Sequence, residues 1–209
     1  MDRLCKHVVA LLGLIVLAGC AGTGQVVPLK IQALPSLRSI NQNLQDIKVV
    51  VESFEDARPD TSRLGVRTHL GGGETSFAVQ GGHVGEVIAQ VLADNLKQMG
   101  FQVWVKKSTV TELPEKPDIT ITGRVEHLSA HARSRVFSTK IAAKVKVAIH
   151  AANASDRSTV RLNLEGARET TVFSFEPDDA QELVNRMLKE NLDKLLADTG
   201  VQNRALITK

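Results

Sequence analysis

The residue with the most specific chemistry in this chain is Cys20, at the end of Leu17-Ala18-Gly19-Cys20. Small residues before a cysteine, with an uncharged apolar run ahead of them, are what a lipoprotein signal peptidase accepts. The thiol takes a diacylglycerol, the chain is cut before the cysteine, and the new amino group is acylated. Arg3 and Lys6 give the positive start, and Val8 to Gly19 is an apolar run of twelve residues. That run suits a signal peptide and falls short of the ~20 residues that span a bilayer. Residues 1–19 are therefore expected to leave, and Cys20 to carry lipid. Each buried CH2 adds ~0.8 kcal/mol, so two or three acyl chains anchor durably. Ala21 rather than Asp follows the cysteine, which in enteric-type sorting points to the periplasmic face of the outer membrane.

Catalysis would require the remaining polar groups to converge. His127 and His131 are four apart. On a strand that is roughly 13 Å at ~3.3 Å per residue, too far to share a metal. Gly71 to Gly73, Gly81, Gly82 and Gly85 precede a helix and resemble an anion nest, but they lack the Lys-Ser/Thr end of a phosphate loop. Glu52, Glu55 and Asp56 cluster beside Arg58, and a solvated turn with local pairing is the simpler reading than an acid/base or Ca2+ site. Ser53, Ser76 and Ser174 have no nucleophile elbow around them. Cys5 leaves with the signal and Cys20 is consumed by lipid, so the mature chain holds no thiol for a disulfide, metal or nucleophile. No catalytic residue, metal site or cofactor is expected.

Charge and composition narrow the partners. The formal charge of +3 loses two cations and one acid with residues 1–19, leaving +2, which gives no case for nucleic acid. Aromatics are 3 % with no Tyr, poor material for stacking on sugars or bases. A row of cations is more informative: Arg124, Lys140, Lys144, Lys146 and Arg161, with Arg133, Arg135 and Arg157 nearby. Lys144 and Lys146 alternate with apolar neighbours, which places them on a wet sheet face. Such a face guards against edge-to-edge aggregation, or meets lipid headgroups, lipopolysaccharide phosphates or an acidic envelope protein.

These side chains need elements to hold them. Residues 20–46, with Pro28 and Pro35 and no sustained period, read as the lipidated cysteine and an extended linker; Val26-Val27 and Leu29 to Ile31 are its only strand-like pieces. Residues 47–200 read as one domain. Ile47 to Phe54 is a short buried strand. Residues 61–82 are loop-like, with a small hairpin around Gly71 to Gly73. Val84, Val87, Ile88, Val91, Leu92, Leu96 and Met99 form one apolar stripe, a helix stopped by Gly100. Phe101 to Val105 resumes as a strand in parallel or near-neighbour pairing with the first. Asp118 to Leu128, with a bulge expected at Gly123, Thr139 to Ala151 and Val160 to Val172 alternate as an antiparallel meander. A second helix starts at Pro177 and ends at Gly200, and residues 201–209 are read as a frayed tail. The expected class is α+β: about five mostly antiparallel strands with two amphipathic helices on one face.

The lipobox LAGC, the strand leading into FEDAR, the stretch VIAQVLADNLKQMGFQV, PDITITGRVEHL and a final amphipathic helix together resemble the YajG-type family of uncharacterised lipoproteins. The likeness covers nearly the whole mature chain and implies location and fold. It brings no catalytic residue. The expected function is a non-enzymatic envelope adaptor or assembly accessory, with a binder of lipid or glycan fragments in a helix–sheet cleft as the rival. Oligomeric state is left open.

Overall fold

The computed structural model describes residues 24–35, 42–106 and 113–209. Within them the fold is mostly β, which corrects the expected five-strand antiparallel sheet with helices on one face. Nine strands form one mixed sheet: β1 (Val26–Leu29), β2 (Lys48–Glu52), β3 (Glu55–Asp56), β4 (Gly65–Thr68), β5 (Glu74–Val79), β6 (Gln102–Lys106), β7 (Ile119–Arg135), β8 (Ser138–Asn153) and β9 (Thr159–Val172). The helices are α1 (Val84–Met99) and α2 (Pro177–Ala197), and a hairpin of β10 (Thr199–Gln202) and β11 (Ala205–Thr208) forms a second sheet.

The physical reason for the difference is the length of β7. At 17 residues it outruns any single neighbour. One of its edges pairs with β8 along nearly its whole length, and β8 in turn with β9, all antiparallel. Its other edge meets β2, then β3, then β4 in succession, each parallel. Beyond β2 lies the parallel β6, and beyond β4 lie the antiparallel β5 and the parallel β1. The sheet is therefore mixed because one long strand collects short parallel segments from the first half of the chain on one edge and the long antiparallel β8 on the other.

Alternation along β7 to β9 sorts side chains by face. Ile119, Ile121, Val125, Leu128, Ala130 and Ala132 on β7, and Ile141, Val145, Val147 and Ile149 on β8, are buried. α1 lies against β2, β6 and β7, and α2 against β8 and β9. The parity change between Val125 and Leu128 is made by a bulge between Val125 and His127, not at Gly123. Gly123 stays in register opposite Ile149 for a different reason: a Cβ there would lie 2.6 Å from the Phe54 ring. Gly100 stops α1 with φ 110°, as expected. α2 ends at Ala197 rather than at Gly200, since Asp198 caps it and Thr199 already opens β10.

The described part of the expected tether and the expected frayed tail both belong to the fold. β1 adds to the sheet beside β5, and Leu29 and Ile31 enter the core. The buried Asn185 of α2 then holds the chain beyond β1, accepting from the Gln32 amide at 3.0 Å and donating to the Lys30 carbonyl at 3.0 Å. At the other terminus Ala205 and Leu206 are buried, and Asn153 exchanges two hydrogen bonds with the Leu206 backbone.

Candidate interaction surface

The pairing register decides where the cations lie. Arg124 stands opposite Ala148, Arg161 opposite His150, and both partners share parity with Lys140, Lys144 and Lys146. All five therefore project from the solvent face of β7, β8 and β9. Arg133 joins them opposite Lys140, and Arg157 sits in the β8–β9 turn.

Acids interleave with them. Lys140 pairs with Glu169 at 2.7 Å, Lys146 with Glu126 at 2.8 Å and Arg124 with Glu55 at 3.3 Å. The hydrogen bond from Lys146 holds the Glu126 carboxyl below its ordinary range, and the same bond raises Lys146. Lys144 differs. It is exposed, stands between Ser129 and Ala167, and has no ion pair among the described residues. The basic row is thus a mixed face on which Arg124, Lys140 and Lys146 are paired, while Lys144 near its centre, Arg161 and Arg133 have no ion pair among the described residues.

The other polar clusters resolve into structure. Asp56 and Arg58 form a bidentate pair, Nε to Oδ1 at 2.8 Å and a terminal nitrogen to Oδ2 at 2.9 Å. Arg58 is buried, and its other nitrogen donates to the Arg63 carbonyl at 3.0 Å. Desolvation opposes the Asp56 charge, but hydrogen bonds from the Arg58 side chain and backbone, with its positive charge, outweigh it and lower the pKa. Arg58 thus pairs locally, as expected, but the FEDAR pair is largely buried and shapes the 58–64 loop rather than forming a solvated turn. Glu52 pairs with Lys106 across β2 and β6. Gly85 serves packing: a Cβ there would lie 1.9 Å from the Phe54 carbonyl oxygen, so only glycine lets α1 start against that backbone. Gly71 to Gly73 turn the β4–β5 hairpin. His127 and His131 border a shallow cleft beside Arg58, and no group of three metal-ligating side chains occurs among the described residues. Cys20 lies outside the described residues.

Two features escaped the sequence reading. One is an apolar cleft of about 550 Å3 between the ends of α1 and α2 and the β10–β11 hairpin, lined by Met99, Phe101, Leu196, Val201 and Leu206 among others. The hairpin forms one wall of it, so reading the tail as frayed hid it. The other is a set of exposed apolar side chains at the β7–β8 turn, where Val136-Phe137 breaks the alternation and signals a turn without a glycine.

A family model described as uncharacterised lipoprotein matches residues 35–204. No curated protein matches the chain. Among solved structures, the chain is similar to a protein of Xanthomonas campestris at 11 % identity and TM-score 0.46, covering 82 % of this chain and 92 % of that one. It is also similar to a lipoprotein of Neisseria meningitidis at 9 % identity and TM-score 0.36, covering 70 % and 99 %. At such values neither likeness bears on activity or partner.

Proposed function

Since the chain belongs to this family of uncharacterised lipoproteins, we propose that it is a non-enzymatic adaptor of the cell envelope, anchored through lipid on Cys20 and acting through the solvent face of β7 to β9. Ala21 favours the periplasmic leaflet of the outer membrane over the inner membrane. The observation that carries the adaptor reading is Lys144, a cation without an ion partner among small neighbours on a broad, regular face. Around it, exposed ion pairs such as Lys140–Glu169 and Lys146–Glu126 are weakly held in water and can exchange for an acidic partner.

Crosslinking in intact cells from this face, followed by mass spectrometry, tests the reading. Lys144→Glu with Lys146→Glu should abolish the crosslinked partner and leave the melting temperature unchanged, since both side chains meet water. Pulldown by the wild type should weaken with salt, because exposed charges are screened within about 8–10 Å at physiological ionic strength. Equal capture by both proteins would remove this face from function. The apolar cleft favours a second reading, a binder of lipid fragments. Its mark would be salt-insensitive uptake of a fluorescent fatty acid, lost on Met99→Lys and kept in the double charge reversal.

A further inference from the structure

The register fixes which end of the sheet faces the anchor. The Gly24 amide donates to the Glu74 carbonyl at 2.9 Å. Glu74 pairs with Thr68, Thr68 with Arg133, Arg133 with Lys140 and Lys140 with Thr171. That row runs across the sheet, and beyond it project the β4–β5 turn, the β7–β8 turn and the end of β9. Exposed there are Leu70 at 66 %, Val136 at 64 %, Phe137 at 79 % and Phe173 at 79 %. Cys20 is four residues before Gly24, a reach of at most ~14 Å at 3.3–3.6 Å per residue. β1 and Asn185 bind the following segment to the body, so nothing longer than those four residues separates a lipid on Cys20 from this end.

We propose that this end is a membrane seat: Leu70, Val136, Phe137 and Phe173 enter the surface of the bilayer that holds the lipid, and Arg133 and Arg135 meet its anionic headgroups. The proposal rests on Cys20 being the anchor. Three observations beyond exposure support it. Neither Arg133 nor Arg135 has an ion pair among the described residues, and both are exposed. Val136 stands three residues past Arg133, ~10 Å at the rise of a strand, which matches the depth of interfacial burial and leaves the Arg133 guanidinium at headgroup level, while Arg135, next to Val136, reaches that level by its long side chain. Phe137 takes φ 59° as the second residue of a two-residue turn, a place where Gly or Asn sits without strain. An aromatic ring 79 % exposed at such a position points to a contact outside the fold.

The acids nearest this end are accounted for. Glu169 is paired with Lys140, Asp179 accepts from the Glu176 amide at the start of α2, and Glu176 and Asp178 belong to the same first turn. That turn follows Phe175, which packs on Phe77 at a ring separation of 6.1 Å, well back from the tip. Glu74 lies in the Gly24 row itself, behind the turns. With the strands standing up from the bilayer, Lys144 is seven residues from Phe137, or ~23 Å, beyond the Debye length of the headgroups. A seated tip therefore leaves the central lysine to a protein partner.

The test uses the full-length lipidated protein, its acylation at Cys20 verified by mass, on vesicles of phosphatidylethanolamine and phosphatidylglycerol. Phe137→Cys and Asp156→Cys each provide one thiol for a polarity-sensitive fluorophore, the second at the far β8–β9 turn. The label at 137 should be blue-shifted and quenched several-fold less by aqueous iodide than the label at 156. Adding Arg133→Glu and Arg135→Glu should reduce that protection on these vesicles and have little effect on phosphatidylcholine vesicles. Equal quenching at 137 and 156 in acylated protein overturns the seat while leaving the anchor standing. Protection of 137 that appears only with envelope extract hands the tip to a protein and overturns it too. Absence of acyl mass on Cys20 removes the anchor, and the tip's orientation with it.

Discussion

Two tight turns, at opposite ends of the molecule, both place bulky side chains at positive φ. In the β10–β11 turn they are Asn203 at 48° and Arg204 at 63°; in the β7–β8 turn it is Phe137 at 59°. At the first, the fold compensates the backbone. Asn tolerates the left-handed region, and Arg204 donates twice to Asp118 at 2.8 Å and once to the Asp46 carbonyl at 2.6 Å. That fork ties the C-terminal hairpin to the start of β7 and to the chain entering β2. At the second, Phe137 is 79 % exposed and stacks on no aromatic or cationic side chain among the described residues. The same backbone cost is explained inwardly at one end and calls for an outward explanation at the other.

One hydrophobic core joins the two ends, and breaking it should have the largest effect. Leu92 is buried on α1 beneath β2 and β7. Leu92→Asp puts an unpaired carboxylate there, costing about 4 kcal/mol or more from a total of roughly 5–15. The purified domain should lose cooperative melting; an unchanged transition would mean that α1 does not bear on the core. Next in size is Arg58→Met. It strands the Asp56 carboxylate and frees the 58–64 loop, and should cost about 3 kcal/mol in urea unfolding. A loss below about 1 kcal/mol would return FEDAR to a solvated turn.

How much of this was legible in the residues differs between the same two ends. α1 was readable because its stripe is regular and Gly100 marks its stop. The start of β7 and the β8–β9 pair were readable because Ile and Val alternate with charge. The second half of β7 was not. Its inward positions are Ala130 and Ala132, both small and buried, and β4 runs so close that a Cβ on Gly65 would lie 1.8 Å from the Ala130 carbonyl oxygen. Without large apolar residues the alternation vanishes from sequence, although the burial is complete. β1 shows in sequence only as the strand-like pieces between Val26 and Ile31 and the C-terminal hairpin not at all, because four-residue strands carry too little period, and what holds them, Asn185 and Asn153, is polar and distant in sequence. For the candidate surface, parity gave the lysine row, but the pairing of Lys140 and Lys146 with Glu169 and Glu126 needed the register. The FEDAR pair was visible as charge and invisible as burial.

A smaller effect separates the ends by pH. Hydrogen bonds from Arg204 chiefly lower the Asp118 pKa, outweighing its desolvation, with help from the Lys48 amide. A carboxyl depressed in the folded state stabilises fully above its unfolded value of about 3.9, and that stability is lost as pH falls through the lower folded value. Asp56 works in the same direction. Asp118→Asn should lower the melting temperature by a few degrees at neutral pH and flatten the decline below about pH 4. A parallel decline in wild type and variant would mean that the fork does not hold the turn, and the contrast with Phe137 would lose its first half.

The smallest expected effect is the most discriminating. Phe137→Gly relieves a left-handed conformation that costs an ordinary residue about 1–2 kcal/mol. Against this stands the added freedom of glycine in the unfolded chain, about 0.5–1 kcal/mol. The ring's own burial contributes little, since it is 79 % exposed. The sum is close to zero or slightly favourable, so thermal and urea midpoints should stay level or rise. The matching change at the other end, Arg204→Gly, also relieves the backbone but breaks the fork to Asp118, and should lower both midpoints. If Phe137→Gly instead costs more than about 2 kcal/mol, the ring is held by the fold after all, and its conformation says nothing about a membrane. If it is neutral in solution yet slows growth under envelope stress while the lipidated protein remains at wild-type level, the turn has been kept against its own backbone cost by something outside the chain.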